Sequence, residues 1–196
     1  EYSHEIGVRL LFGSVAHNAM RLELGIKPVF AYRARHYFRV YMTIHTGAVW
    51  EEKTYKEIGY ILHCFKCGHR ATDIVSNMEC SICKTLMRHA GPLWTGPIHN
   101  KKFLKELAQD CETHLIKIGT KITSIALQEI DMPPTYFTID KISSKMGVTT
   151  PSLSSIIQSI KKKGYRASRT ALNSKGIKTD APNMVLQKIV KTLSEN

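Results

Sequence analysis

The sequence predicts a mixed α/β (α+β) fold built from three successive parts. Three observations lead to this prediction: a helical pattern followed by a strand pattern at the start of the chain, two cysteine pairs in the middle, and a helix-turn-helix pattern followed by a strand pair near the end. The composition is that of a folded chain, since 43% of the residues are hydrophobic and the mean hydropathy is −0.18. We place the three parts at residues 1–46, 47–99 and 100–196.

The first part, residues 1–46, is predicted to contain one helix and one or two strands. His4–Leu24 is amphipathic, with apolar residues at roughly helical spacing, and Gly25 follows as a helix stop. Lys27–His45 is rich in aromatic and β-branched residues with period-two alternation, which is typical of strands. We interpret these elements as the last edge of a larger α/β sheet. Because the chain lacks an initial Met and begins within a helical pattern, we expect residues upstream.

The second part, residues 47–99, contains two C-x-x-C pairs. Cys64 and Cys67 form the first pair, and Cys80 and Cys83 form the second after twelve intervening residues. Two cysteines at this spacing reach one ion from a tight turn, so two pairs supply four thiolates in a tetrahedral shell. Four protein ligands leave no open position for water, so a structural zinc ion in a zinc ribbon is predicted.

Other interpretations of these cysteines remain open. The four thiols could be free, or a histidine next to the first pair, His63 or His69, could replace a cysteine as a ligand. The fifth cysteine, Cys111, stands alone in a helical pattern, and we interpret it as a small buried residue.

The third part, residues 100–196, begins with helical periodicity and ends with a predicted winged-helix-like unit. Asn100–Leu127 is helical with a break expected near Gly119, and Pro133-Pro134 closes it. A short helix from Thr138, a turn at Gly147 and a second helix starting at Pro151 form a helix-turn-helix pattern. A strand pair turning near Asn173–Gly176 is expected to form the wing, and a last helix is expected at Met184–Leu193.

The charge of the chain favours a polyanionic partner. Lys and Arg outnumber Asp and Glu by 28 to 16, which gives a net charge of +12 and a pI near 9.6. Much of this excess lies between Ile139 and Ala181. We define the basic stripe as the residues predicted there to contact nucleic-acid phosphates: Lys161, Lys162, Lys163, Arg166, Arg169, Lys175 and Lys178.

The alternative to nucleic-acid binding is that the basic stripe is a solvated surface that keeps the chain soluble. An anionic membrane surface ranks second to nucleic acid as a partner. The sequence contains neither an apolar run near the roughly 18 residues of a membrane span nor a signal-peptide pattern, so no membrane partner and a cytoplasmic location are expected.

Several motifs together resemble the tRNA (guanine(26)-N(2))-dimethyltransferase family, in its C-terminal part. The resemblance runs along essentially the whole chain in the same order, and the final motif is the most specific. The motifs are His4–Arg9, Gly25–Pro28, His36–Val40, Gly91–His99 and Arg169–Pro182. Some members also carry paired cysteines, which match Cys64, Cys67, Cys80 and Cys83. Where the family often has His and Phe after Arg-Thr, this sequence has Ala171 and Leu172.

The resemblance implies an enzyme that transfers methyl groups from S-adenosyl-L-methionine to a guanine nitrogen of tRNA. Its Rossmann-like methyltransferase domain is N-terminal, so residues 1–46 would be the C-terminal edge of that domain's sheet. No glycine-rich loop after a strand and no Asp-Pro-Phe-type motif occurs in this sequence. Catalytic and cofactor-binding residues are therefore carried over to no position, and this chain alone is expected to bind tRNA and structural zinc without transferring methyl groups.

A second hypothesis is a stand-alone zinc-ribbon and winged-helix regulator that binds DNA. The predicted strands at Lys27–His45 argue against it, because such a regulator has no use for the edge of a larger sheet. A helix-turn-helix pattern does not by itself distinguish DNA from RNA. The oligomeric state is left open by the sequence.

Overall fold

The structure, a computed structural model, describes residues 2–34, 36–76 and 78–195. It has the mixed α/β character that the sequence predicts, with three small sheets and seven helices in the described part of the chain. No helix in these ranges is long and apolar enough to cross a membrane.

The first part forms one long helix and an antiparallel strand pair, followed by a short helix. The elements are α1 (Ser3–Met20), β1 (Leu24–Ala34), β2 (Tyr37–Thr46) and α2 (Ala48–Lys56). Helix α1 ends earlier than predicted, at a turn in which Glu23 adopts a left-handed φ of 56°. Gly25 is therefore a strand residue and not a helix stop. It is needed there because the Trp50 carbonyl of α2 lies where a side chain would be.

The cysteine pairs lie on a three-stranded antiparallel sheet with strand order β4-β3-β5. Its strands are β3 (Ile58–His63), β4 (Arg70–Asp73) and β5 (Arg88–Trp94). Helix α1 packs on β5, and the close approach needs Gly13, where an added Cβ would lie 3.0 Å from the Leu93 Cα. Strand β3 ends at His63, directly before the first cysteine pair.

Two helices follow the sheet, α3 (Lys101–Thr113) and α4 (Lys117–Glu129). The predicted break is present but precedes Gly119: it falls at residues 114–116, where Leu115 has a left-handed φ of 56°. Gly119 lies inside α4 and faces the Cys111 sulfur across the helix pair, with no space for a side chain between them. Cys111 is buried, as predicted.

The last part packs three helices on a small sheet with strand order β6-β8-β7. Its elements are β6 (Phe137–Thr138), α5 (Ile139–Met146), α6 (Leu153–Lys162), β7 (Ala167–Thr170), β8 (Asn173–Thr179) and α7 (Asn183–Ser194). Gly147 ends α5 with a left-handed φ of 66°, as the turn requires. The N-cap of α6 is Ser152, whose Oγ accepts a hydrogen bond from the Ser155 amide, so Pro151 precedes the helix.

The strand pair turns at Ala171-Leu172, earlier than predicted. Gly176 lies within β8, in a position where a Cβ would crowd Thr170 and Tyr136. Leu172 is 1% exposed and joins the largest core, which also contains residues of α1, β3 and β5. One apolar core thus connects all three predicted parts.

Candidate metal centre and basic surfaces

The four cysteines of the two pairs come together in one group. We call Cys64, Cys67, Cys80 and Cys83 the cysteine cluster. Their sulfur atoms lie within 4.8 Å of one another, with 3.3 Å between Cys64 and Cys83 and 3.6 Å between Cys67 and Cys80. Among the described residues, these four cysteines are the group of side chains placed closely enough to hold a metal ion. Neither His63 nor His69 belongs to this group.

Each cysteine pair lies in a tight turn, and the two turns have matching hydrogen bonds. In the first turn the Gly68 amide donates to the Cys64 carbonyl at 2.8 Å, and in the second the Lys84 amide donates to the Cys80 carbonyl at 2.9 Å. Gly68 and Lys84 both have left-handed backbones, with φ of 76° and 58°. The repeated geometry explains why both pairs aim two sulfurs at one point.

The cysteine cluster fits a tetrahedral zinc ion. Zinc–sulfur bonds of about 2.3 Å place neighbouring sulfurs about 3.8 Å apart, close to the separations in the cluster. Four thiolates would fill the coordination shell, so the ion would hold the two turns together and would have no position left for a reacting water. Cys64 and Cys80 are fully buried, as the ligands of a structural ion usually are.

The cluster is tied to the end of the chain through one side chain. The Asn183 amide nitrogen, at the start of α7, donates a hydrogen bond of 3.0 Å to the Cys67 carbonyl. Asn183 also packs so closely on Gly68 that a Cβ there would collide with it. The first cysteine turn therefore fixes the start of α7 relative to the sheet β4-β3-β5.

Six of the seven residues of the basic stripe are exposed. Lys161, Lys162, Lys163 and Arg169 are exposed, at the end of α6 and on β7. Arg166 is exposed but held by Asp180 at 2.7 Å and by the Asp131 carbonyl at 2.8 Å. Lys175 forms an ion pair with Asp140. Contact of these residues with nucleic acid stays a prediction.

Lys178 does not belong to the exposed stripe, and its placement there was wrong. It is 2% exposed, and its Nζ lies 3.0 Å from Glu5 and 3.2 Å from Glu129. The error arises because β8 is the central strand of its sheet and is buried at all of residues 176–179, which the local sequence around Lys175 and Lys178 does not reveal.

Lys178 is part of a buried group of four charges, which we call the charge cluster: Glu5, Arg9, Glu129 and Lys178. Each member is at most 3% exposed. Arg9 donates to Glu5 at 2.9 Å and to the carbonyls of Trp94 and Gly96. Two carboxylates balance two cations, and the group joins α1, α4 and β8 with the segment that follows β5.

The pKa of Glu129 depends on its buried position and on the groups around it. Burial alone would raise its pKa, but the ammonium of Lys178 and hydrogen bonds with His99 and Thr170 lower the pKa to about 2. Glu129 also accepts a hydrogen bond of 3.0 Å from the Ala171 amide. The carboxylate thus holds the turn between β7 and β8 against α4.

A second exposed basic surface was missed from the sequence. Lys66, Arg88, Lys141 and Lys145 line one groove between the cysteine turns and α5. They are far apart in sequence, and none follows a recognisable motif. The sequence contains one indication of this surface: the two residues between the cysteines of the first pair are an aromatic residue and a lysine, Phe65 and Lys66.

Comparison with known proteins identifies the family. The model of the N2,N2-dimethylguanosine tRNA methyltransferase family matches residues 1–191. A tRNA (guanine(26)-N(2))-dimethyltransferase of Methanosarcina mazei is 32% identical over 201 residues, covering 99% of this chain and 52% of that protein. The same enzyme of Methanothermobacter thermautotrophicus is 33% identical, covering 92% of this chain and 49% of that protein.

A solved structure agrees with the sequence comparisons. The complex of Trm1 from Pyrococcus horikoshii with S-adenosyl-L-methionine matches 96% of this chain and 50% of its own with a TM-score of 0.80 and 28% identity. This chain thus spans about half the length of the curated relatives it matches. It belongs to the N2,N2-dimethylguanosine tRNA methyltransferase family.

Proposed function

We propose that this chain is the C-terminal, tRNA-binding half of an S-adenosyl-L-methionine-dependent tRNA (guanine(26)-N(2))-dimethyltransferase. The observation that carries the proposal is that the family match spans the chain and about half of each relative, while the sequence contains none of the family's cofactor motifs. In this proposal the chain binds tRNA and zinc, and the cofactor and catalytic residues belong to the other half.

Residues 1–46 have the features of a sheet that continues beyond strands β1 and β2. Strands β1 and β2 pair with each other alone among the described residues, and a lone hairpin is marginal in water. The free strand β2 exposes large side chains: Tyr37, Tyr41 and Ile44 are 49%, 42% and 59% exposed. We infer that residues 1–46 form the edge of a Rossmann-like methyltransferase sheet, whose other strands would pair with β2 and whose other elements would cover these side chains.

The remaining two parts would form the tRNA-binding domain. Residues 47–99 supply a zinc ribbon around the cysteine cluster. Residues 100–196 end in a winged-helix-like unit, in which α5 and α6 form the helix-turn-helix and β7 and β8 form the wing. The end of α6 carries three exposed lysines and β7 carries the exposed Arg169, and together they would form a positive surface for the phosphates of the tRNA.

The decisive experiment measures whether the chain prefers tRNA to duplex DNA. The zinc-loaded chain is titrated into a fluorescein-labelled tRNA transcript, and unlabelled tRNA or duplex DNA is added as competitor. We expect tRNA to compete far better than DNA. A preference for duplex DNA would favour a stand-alone DNA-binding regulator, and methyl transfer by the isolated chain would contradict an active site in the other half.

The basic surface is tested with the variant Lys161→Gln/Lys162→Gln/Lys163→Gln. Each lost phosphate contact should reduce the slope of log K against log salt by about 0.7–0.9, so the slope of the triple variant should fall by about 2.1–2.7. The matched control removes three exposed lysines of α3, Lys101→Gln/Lys102→Gln/Lys105→Gln. Equal losses in both variants would mean that only net charge matters.

A further inference from the structure

A large cleft separates the cysteine turns from the helices of the last part. Its volume is about 970 Å³, and its walls come from the first cysteine turn, β5, α5, the start of α7 and the start of α1. No Asp or Glu lines it among the residues that the structure describes. The cleft is separate from the basic stripe, none of whose residues lines it.

The wall of the cleft contains a continuous stack of planar groups. Phe65 stacks on His63 with 4.3 Å between ring centres and 17° between planes, and His63 lies 5.6 Å from Tyr2. The Arg70 guanidinium then lies over Tyr2 at 4.5 Å and over Phe137 at 3.9 Å. The stack begins at an exposed ring and ends in the interior, since Phe65 is 72% exposed and Phe137 is 7% exposed.

The side chain of Phe65 does not pack into an apolar core. An aromatic ring this exposed contributes little to folding, and the residue lies at the tip of a turn whose two cysteines already fix it. His63 supports one side of the ring, so the ring is held in place before any ligand arrives. A held ring loses little conformational entropy when a second planar group stacks on it.

Four exposed cations line the same cleft as this ring, and none has a carboxylate partner in the part of the chain that the structure describes. Lys66 follows Phe65 directly, and Arg88 lies with its guanidinium carbon 6.0 Å from the ring centre. Lys141 and Lys145 stand one helical turn apart on α5, across the cleft. None of the four forms an ion pair with any described residue, unlike Lys175 and Arg166 of the basic stripe.

We propose that this cleft binds an unpaired nucleotide of RNA, whose base stacks on Phe65 and whose flanking phosphates lie against Lys66, Arg88, Lys141 and Lys145. The proposal rests on the proposed function in that RNA is the ligand. Exposed aromatic rings among cations are the usual site for unpaired bases, because every base offers a π-face. A base inside a duplex has both faces covered, so a duplex would leave Phe65 unused.

The test separates stacking from charge. The full chain with zinc bound is titrated against two labelled probes, an unmodified tRNA transcript and a ten-nucleotide oligouridylate, over a series of salt concentrations. Phe65→Leu keeps an apolar side chain but removes the ring, and should weaken binding of both probes about fivefold or more with an unchanged salt slope. Phe65→Trp should restore the affinity.

The lysines should behave in the opposite way. Lys141→Gln/Lys145→Gln should reduce the salt slope by about 1.4–1.8, the loss expected for two phosphate contacts. The control Lys117→Gln/Lys121→Gln removes two exposed lysines at the same spacing on α4, and should leave the slope close to that of the unsubstituted chain.

Three results would overturn the proposal. If Phe65→Leu binds tRNA as tightly as the unsubstituted chain, the cleft does not stack a base, although the proposed function stands. If polyglutamate displaces oligouridylate as well as RNA does, the cleft is a general anion site. If the unsubstituted chain does not bind tRNA at all, the proposed function fails and this site fails with it.

Discussion

Two groups of four side chains hold this molecule together, and they differ in how far apart in the sequence their members are. The cysteine cluster takes its ligands from within twenty residues, on two turns of the same kind. The charge cluster takes Glu5 from the first helix and Lys178 from the last strand, 173 positions away. The first organises a small local unit, whereas the second fixes that unit and α1 against the end of the chain.

The two clusters also differ in what stabilises them. In the proposed zinc site a metal ion would gather the thiolates, and its binding free energy would become folding free energy because the unfolded chain has no such site. The charge cluster gathers no added ion: it balances two carboxylates with two cations inside the protein, and its net contribution is small unless a member is removed. The difference leads to contrasting expectations for the loss of one member.

The largest effect is expected from loss of the metal. Cys80→Ser removes a buried ligand, and we expect loss of bound zinc and unfolding of the sheet β4-β3-β5, since structural zinc sites contribute about 10 kcal/mol or more in small domains. Metal content by mass spectrometry and hydrogen exchange over residues 58–94 would show both effects.

The fifth cysteine provides the control for this comparison. Cys111→Ser changes a buried cysteine of α3 that lies outside the cysteine cluster, so the variant should keep one zinc per chain. A Cys80→Ser chain that still binds one equivalent of zinc would contradict a four-cysteine site.

A smaller but still large effect is expected from Lys178→Met. The substitution leaves Glu129 buried without its ammonium partner and Glu5 with Arg9 alone, which should lower the free energy of unfolding by about 3–5 kcal/mol. Lys175→Met is the matched control on the same strand: its side chain is 68% exposed in an ion pair, so about 1 kcal/mol or less is expected. Urea unfolding of the zinc-loaded chains measures both, and equal losses would contradict the buried position of Lys178.

The contrast between the clusters also shows how far the sequence predicts this molecule. The cysteine cluster follows from local spacing, as do helices α5 and α6 and the strand pair β1-β2, because each depends on residues close in sequence. The charge cluster could not be predicted in this way. Glu5, Arg9 and Glu129 stand on helical patterns that predict solvent exposure for charged residues, and tertiary packing overrides that pattern. Lys178 was misplaced for the same reason, and the cleft beside Phe65 exists only because the fold places α5 and the start of α7 opposite the first cysteine turn.

The last prediction concerns how the free energy of unfolding depends on pH, which should differ between the charge cluster and the cysteine cluster. The pKa of Glu129 is about 2 in the folded chain, against 4.5 for an ordinary glutamate, so the unfolded chain takes up this proton first as the pH falls. The stability that ionised Glu129 contributes is therefore complete above pH 4.5 and is lost between pH 4.5 and 2, at a total of up to about 3 kcal/mol. Zinc in the proposed site would also be lost in acid as its thiolates take up protons, so the unsubstituted chain alone would not isolate the effect of the carboxylate.

Glu129→Gln provides the reference, because both chains lose zinc alike while only one can protonate at position 129. The stability difference between them, measured by urea unfolding at each pH, should be constant above pH 5 and shrink as the pH falls below 4.5. A difference that stays constant down to pH 3 would mean that Glu129 is not held in its ionised form by Lys178. A difference that vanishes together with the bound zinc, at higher pH, would mean that the two clusters do not stabilise the chain independently.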